Sequence, residues 1–184
     1  MTTAPTYIDP HAAIVERCRS NDPKAQYELY KLYKKAMFNV ALRIVGDVQE
    51  AEDVLQESFL IAFREVSNFK GDASFGLWLK KIVVNKAIRG LQKRRLVFSS
   101  LADDTDHPDE ASPWPSAHTA TEEQVQAIRQ AIMRLPDGYR VVLSLYLLEG
   151  YDHAEIAQIL SISEATSKSQ YSRARKKLLE ICQQ

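Results

Sequence analysis

Between Asp152 and Leu178, in DHAEIAQILSISEATSKSQYSRARKKL, two helical patterns are separated by only three residues, Ser161-Ile162-Ser163. So short a connection forces the second helix to pack across the first, and the proportions are those of a helix-turn-helix. The residue types suit that crossing. Ala157 is small where the helices should meet, Ile156 and Leu160 face inward, Ile162 plugs the turn and Ser163 stands where a cap is needed. The second helix, expected from Glu164 to about Lys177, offers Thr166, Lys168, Ser169, Gln170, Ser172, Arg173 and Lys176. Short hydroxyls and amides that reach base edges, beside cations that reach phosphates, are the chemistry of a helix laid into the major groove of DNA. The plainer reading is an amphipathic hairpin with a solvated basic side, and the turn and caps argue against it.

Ser167 departs from the pattern, because this motif usually carries Val or Ile there. A buried hydroxyl costs about 1–3 kcal/mol if unpaired. The expected remedy is a bond to the carbonyl one turn back, at Ser163.

The rest of the chain is punctuated in the same helical way, with apolar residues recurring at three and four rather than two. Asp9-Pro10 and Asp22-Pro23 each place a capping residue before a proline, predicting helices near 10–20 and 23–45. The second should bury Tyr27, Tyr30, Met37, Val40, Ala41 and Ile44 and end at Gly46. Asp47 can cap a third helix to about Val66 with Ala51, Val54, Leu55, Ser58, Ala62 and Phe63 inward, leaving Glu50, Asp53, Gln56 and Glu57 on an acidic face. A turn-rich loop, SNFKGDAS at 67–74, precedes a long helix that begins with Phe75, Trp78, Leu79, Ile82 and Val83 and turns basic toward Arg95.

Residues 99–120, SSLADDTDHPDEASPWPSAHTA, have no periodicity and read as a flexible acidic linker. Thr121 with Gln124 is a capping box for a helix carrying Val125, Ile128, Ala131, Ile132 and Leu135, which Pro136-Asp137-Gly138 should end. A short apolar helix over Tyr139–Glu149, closed by Gly150, and a second capping box at Asp152 and Glu155 complete the pattern. The expected fold is all-α: two small helical domains joined by the linker, the second of four helices.

Charge sharpens the functional reading. The 24 acidic residues balance 24 basic ones, whereas a protein that holds DNA unaided usually has a positive excess. The cations are clustered in two acid-free segments, Lys86–Arg95 and Lys168–Lys177, around an acidic stretch from Asp103 to Glu123. Cys18 and Cys182 lie near opposite ends and read as ordinary thiols, so neither a disulfide framework nor a metal site is expected. The four histidines, His11, His107, His118 and His153, are scattered, and there is no phosphate loop or nucleophile elbow. No cofactor and no catalytic residue is expected. The chain has no run near the roughly 18 apolar residues of a membrane span, and MTTAPTYIDPHAA lacks the order of a signal peptide. Both point to a cytoplasmic protein.

EAEDVLQESFLIAFREVSNFKGDASFGLWLKKIVVNKA together with LPDGYRVVLSLYLLEGYDHAEIAQILSISEATSKSQYSRARKKL closely resembles the extracytoplasmic-function group of bacterial sigma-70 factors, in the family's order. The resemblance spans roughly residues 22–97 and 124–181. It implies a tail and first helix at 1–21, a region 2 domain at 22–98, the linker at 99–120 and a region 4 domain at 121–184. It further implies binding to core RNA polymerase, through the β′ coiled coil and the β flap, and recognition and opening of promoter DNA. Asp53, Gln56 and Glu57 match the family's polymerase-docking pattern. Loop residues from Phe69 and Lys70 to Ser74, with Asn85, match positions that hold a flipped base of the −10 element, and Lys86, Arg89, Lys93, Arg94 and Arg95 would follow as phosphate contacts. Trp78, among Phe75, Leu79 and Ile82, reads as core rather than as a stacking platform. The second helix of the helix-turn-helix would read the −35 element. An anti-sigma protein is a further expected partner, and the acidic linker would run through the polymerase interior. The rival is a stand-alone helix-turn-helix regulator that binds an operator without polymerase.

Overall fold

The computed structural model describes residues 9–93 and 121–183, so the expected linker and Arg94 and Arg95 lie outside the described residues. Eight α-helices are present among them: α1 Ala12–Arg19, α2 Pro23–Val45, α3 Val48–Glu65, α4 Phe75–Lys93, α5 Glu122–Met133, α6 Asp137–Leu147, α7 His153–Leu160 and α8 Glu164–Cys182. A single 3-10 turn, Val66–Asn68, follows α3, and no strand forms among the described residues. The helices divide into two compact units. Most of α1–α4 makes the first; α5–α8 make the second, with which residues 43–46 and those from Ile88 onward are grouped.

In the first unit, Asp22 accepts the Lys24 N–H at 2.8 Å as α2 begins, and Gly46 at φ +79° ends that helix. Asp47 then caps α3 by accepting the Glu50 N–H at 2.9 Å. Aromatic contacts tie the helices together: Tyr30 on Phe59 at 5.0 Å links α2 to α3, and Tyr33 on Phe75 at 5.6 Å links α2 to α4. Two parts of the expected core differ. Phe59 is buried where Phe63 was expected, and Phe63 is only half-buried. Tyr27 is 61% exposed, with Leu29 and Ala25 turned inward in its place, and the Lys31 ammonium lies 5.1 Å over its ring.

Asp9 does not cap α1 directly. Its side chain accepts the His11 N–H at 2.8 Å, holding a turn before a helix that begins at Ala12, and the other carboxylate oxygen accepts the N–H of Phe75, the first residue of α4. A carboxylate that is buried thereby satisfies an orphan donor of a distant helix. Cys18 is buried, and burial pushes its thiol up to about 11, which keeps it protonated and unreactive at neutral pH.

In the second unit, α8 packs against α5, α6 and α7. Ala131, Ile132, Leu135, Leu143, Ala174 and Leu178 form one buried cluster, edged by Tyr139 and Ile181. Each fully buried aliphatic side chain of this kind contributes about 1.5–3 kcal/mol. Ile128, expected inside, is exposed. The break between α5 and α6 falls earlier than expected: α6 begins at Asp137, with Pro136 as its N-cap. The first N–H groups of a helix have no partner within it and favour an acid nearby, so Asp137 and Gly138 start α6 rather than end α5.

Candidate nucleic-acid interface

The turn between α7 and α8 is built by local hydrogen bonds. Asp152 and Glu155 exchange side-chain and backbone bonds at 2.7 and 2.9 Å, a complete capping box that starts α7. Ile156 and Leu160 are buried, Ser161 takes the left-handed conformation at φ +57°, and the Ile162 N–H returns to the Ala157 carbonyl at 3.0 Å. Ser163 then caps α8, accepting the Thr166 N–H at 2.9 Å. The three-residue turn is thus a helix stop followed at once by a helix start.

Along α8, Lys168 and Lys176 are exposed, and Thr166, Ser169, Ser172 and Arg173 are half-buried on the flanks of the same side. Lys168 also pairs with Glu164 at 2.7 Å, and the Ser169 hydroxyl donates to the Thr166 carbonyl at 3.0 Å. Gln170 does not join them. It is 3% exposed, on the inward side with Ser167 and Ala174, so it cannot reach a base edge in this conformation. Three-residue spacing from Ser167 places it there, and its Oε1 has no hydrogen-bond partner among the described residues.

Ser167 is fully buried, and its hydroxyl does not bond the Ser163 carbonyl, which instead accepts the Ser167 backbone N–H at 3.0 Å. Its Oγ lies 2.9 Å from Nδ1 of His153, the first residue of α7. The His153 ring stacks on Tyr146 of α6 at 4.4 Å and 15°, and Tyr171 of α8 closes the group at 4.6 Å from Tyr146. Burial, and then the Lys168 ammonium, hold His153 below its ordinary pKa, so the neutral ring is favoured.

In the first unit, Asp53, Gln56 and Glu57 are exposed on α3, together with Glu52 and Leu60, which is 70% exposed. Glu57 is ion-paired with Lys86 of α4, so two residues assigned to different tasks hold one another here. On α4, Asn85, Arg89 and Lys93 are exposed at four-residue spacing, and Lys81 extends the stripe by one turn. Lys81 was missed, although its place four residues before Asn85 was a usable signal.

The loop before α4 differs most from expectation. Phe69 is 6% exposed, its ring packed on Phe75 at 5.8 Å and Trp78 at 5.4 Å, and its carbonyl accepts from the Arg19 guanidinium. Its ring is therefore not an open wall for a base in this conformation. Trp78, read as core, is half-buried on the edge of the same cluster. Lys70 and Gly71 are exposed, and Ser74 caps α4 by accepting the Leu77 N–H at 3.1 Å.

Among the described residues no group of three or more His, Cys, Asp or Glu side chains could hold a metal ion, and no helix is long and apolar enough to cross a membrane. Two family models match the chain: Sigma-70 region 2 over residues 29–97 and Sigma-70, region 4 over residues 125–178. The RNA polymerase sigma-H factor of Pseudomonas aeruginosa is 33% identical over 170 residues, 88% of each chain. SigW, an ECF RNA polymerase sigma factor of Bacillus subtilis, is 27% identical over 179 residues, 89% of this chain and 92% of that one. Among solved structures, the sigma factor RpoE of Bartonella quintana, crystallised with the anti-sigma factor NepR, shares the fold with a TM-score of 0.54 at 22% identity, covering 85% of this chain and 96% of that one. CnrH, solved with the cytosolic domain of CnrY, has a TM-score of 0.53 at 22% identity and covers 94% of this chain and 96% of that one. With both sigma regions matched in order and relatives aligned over most of their length, the chain belongs to the extracytoplasmic-function group of sigma-70 factors, and is a sigma factor for transcription initiation rather than an enzyme.

Proposed function

We propose that this sigma factor divides its work between two helical faces, with residues 22–98 docking on core polymerase and opening the −10 element and residues 121–184 reading the −35 element. The observation that carries the second assignment is the outer side of α8, where Lys168, Ser169, Ser172 and Lys176 share one side while Ser167, Gln170, Ala174 and Leu178 are buried on the other. Thr166 and Arg173 flank that side, one nearer the base edges at the helix start and one as a phosphate contact.

For the first assignment, the exposed polar face of α3 at Asp53, Gln56 and Glu57 supports docking on the β′ coiled coil, and the α4 stripe with Lys70 supports contact with the opened strand. Asn85 has the amide needed to satisfy both a donor and an acceptor on an unstacked base. Lys86 is released to a phosphate when polymerase takes Glu57. The β flap as partner of the second unit, an anti-sigma protein as the resting partner, a cytoplasmic location and a linker acting inside polymerase complete the reading. Neutral overall charge supports it, because polymerase supplies much of the affinity for DNA.

The test is transcription with holoenzyme reconstituted from core polymerase and the full chain. Arg173→Ala should weaken −35-dependent initiation with core binding unchanged, and Asn85→Ala should slow strand opening with duplex recognition retained. Normal opening by the Asn85→Ala enzyme would show that the base pocket has been misplaced.

A further inference from the structure

We propose that His153, acting through Ser167, is a positioning residue that sets how α8 meets the groove and thereby which −35 sequences are preferred. The proposal rests on the assignment of α8 as the −35 reader.

In its C-terminal half α8 packs into the apolar cluster through Ala174 and Leu178. At its first turns, where the reading residues lie, the contact is of another kind. Ser167 is fully buried and its hydroxyl is 2.9 Å from His153 Nδ1. The imidazole is fixed in turn by parallel stacking on Tyr146 at 4.4 Å, while Tyr171, one turn beyond Ser167, lies edge-on to the imidazole at 5.6 Å. Three helices, α6, α7 and α8, therefore meet in one hydrogen-bonded aromatic group. Aliphatic packing fills volume but is non-directional, whereas a hydrogen bond has a preferred length and angle. The bond fixes the rotation of α8 about its axis at the position between Thr166 and Lys168.

That rotation is what base reading depends on. A roll of about 10° moves a side-chain tip lying 5–6 Å from the helix axis by about 1 Å. A shift of that size breaks hydrogen bonds to a base edge while leaving long lysines within reach of phosphates. Loss of the His153–Ser167 bond should therefore alter sequence preference more than overall affinity. Burial and then Lys168 on α8 favour the neutral ring, against the smaller opposing pull of Glu164 on α8 and Asp152 at the α7 cap.

The experiment uses reconstituted holoenzyme and a promoter library in which the −10 element is constant and the −35 element varied. Ser167→Ala removes the hydroxyl, and His153→Phe keeps the stacked ring without the nitrogen, so one variant or the other retains the packing. Each should bind core polymerase normally, lose about 2- to 10-fold initiation from the best −35 sequence, and change the ranking of sequences below it. Ser167→Thr, which retains the hydroxyl, should restore the wild-type ranking. If both variants melt at lower temperature but rank the library as wild type does, the pair is structural only and the proposal is overturned. If the wild-type holoenzyme shows no −35 preference at all, the reading of α8 itself fails, and the positioning role with it.

Discussion

The helix-turn-helix of the second unit and the loop before α4 in the first are assembled by opposite means. The caps and turn of the former are made by bonds that span few residues, Asp152 to Glu155, Ile162 to Ala157 and Ser163 to Thr166, with one longer bond, His153 to Ser167, between its helices. The loop before α4 is held from far along the chain, by Asp9 on the Phe75 N–H and Arg19 on the Phe69 carbonyl. In the proposed function a locally preformed helix pair meets duplex DNA, whose base edges are already presented in the major groove. In the proposed function the other region accepts a base that leaves its stack, and Phe69, closed into an aromatic group, is not open for that in this conformation.

The largest effect that would break this contrast is in the second unit's core. Ile156→Ala, at a fully buried position between the helices of the motif, should cost about 2–5 kcal/mol in thermal or denaturant unfolding. A cost below about 1 kcal/mol would mean that the local caps alone hold the motif. Next comes the long-range device of the first unit. Asp9→Ala leaves the Phe75 and His11 N–H groups without their acceptor and should cost about 1–3 kcal/mol, with faster hydrogen exchange at the Phe75 amide. Unchanged exchange there would show that the start of α4 is held locally after all.

The buried amide of Gln170 makes a third test. Gln170→Leu replaces an amide whose oxygen is unpaired with an apolar side chain of similar size, and should raise stability by about 1 kcal/mol while leaving −35 preference unchanged. A changed preference would return Gln170 to the DNA-reading set.

The smallest expected effect is on pH. His153 has a folded pKa below its unfolded value of 6.5, so the unfolded chain binds the proton more readily. Its contribution is present above that value and is lost as pH falls below 6.5 through the folded pKa. Melting temperature followed across the ordinary histidine range, from about pH 8 to about 5.5, should show a component that disappears in His153→Phe; an identical pH profile in the variant would contradict the assignment.

The contrast also explains what was legible beforehand. The caps at Asp47, Thr121, Asp152 and Ser163 are signals within four residues and were readable as written. Asp9 was not, since Asp-Pro announces a local cap and nothing near it points to a helix 66 residues away. Gln170 has the chemistry of a reading residue, but its spacing from Ser167 puts it on the inward side of α8, where it is buried. The partner of Ser167 was unreadable for a related reason: two polar residues 14 apart on different helices leave no periodic trace.

In the proposed function one chain makes two promoter contacts while bound to polymerase. The most direct test is to add the purified full chain to core RNA polymerase and map transcription starts across a promoter library. The expected result is initiation only when both are present, at promoters carrying two separated elements, one sensitive to Arg173→Ala and the other to Asn85→Ala. A palindromic footprint made by the chain alone, with no retention on core polymerase and no promoter-specific initiation, would contradict it.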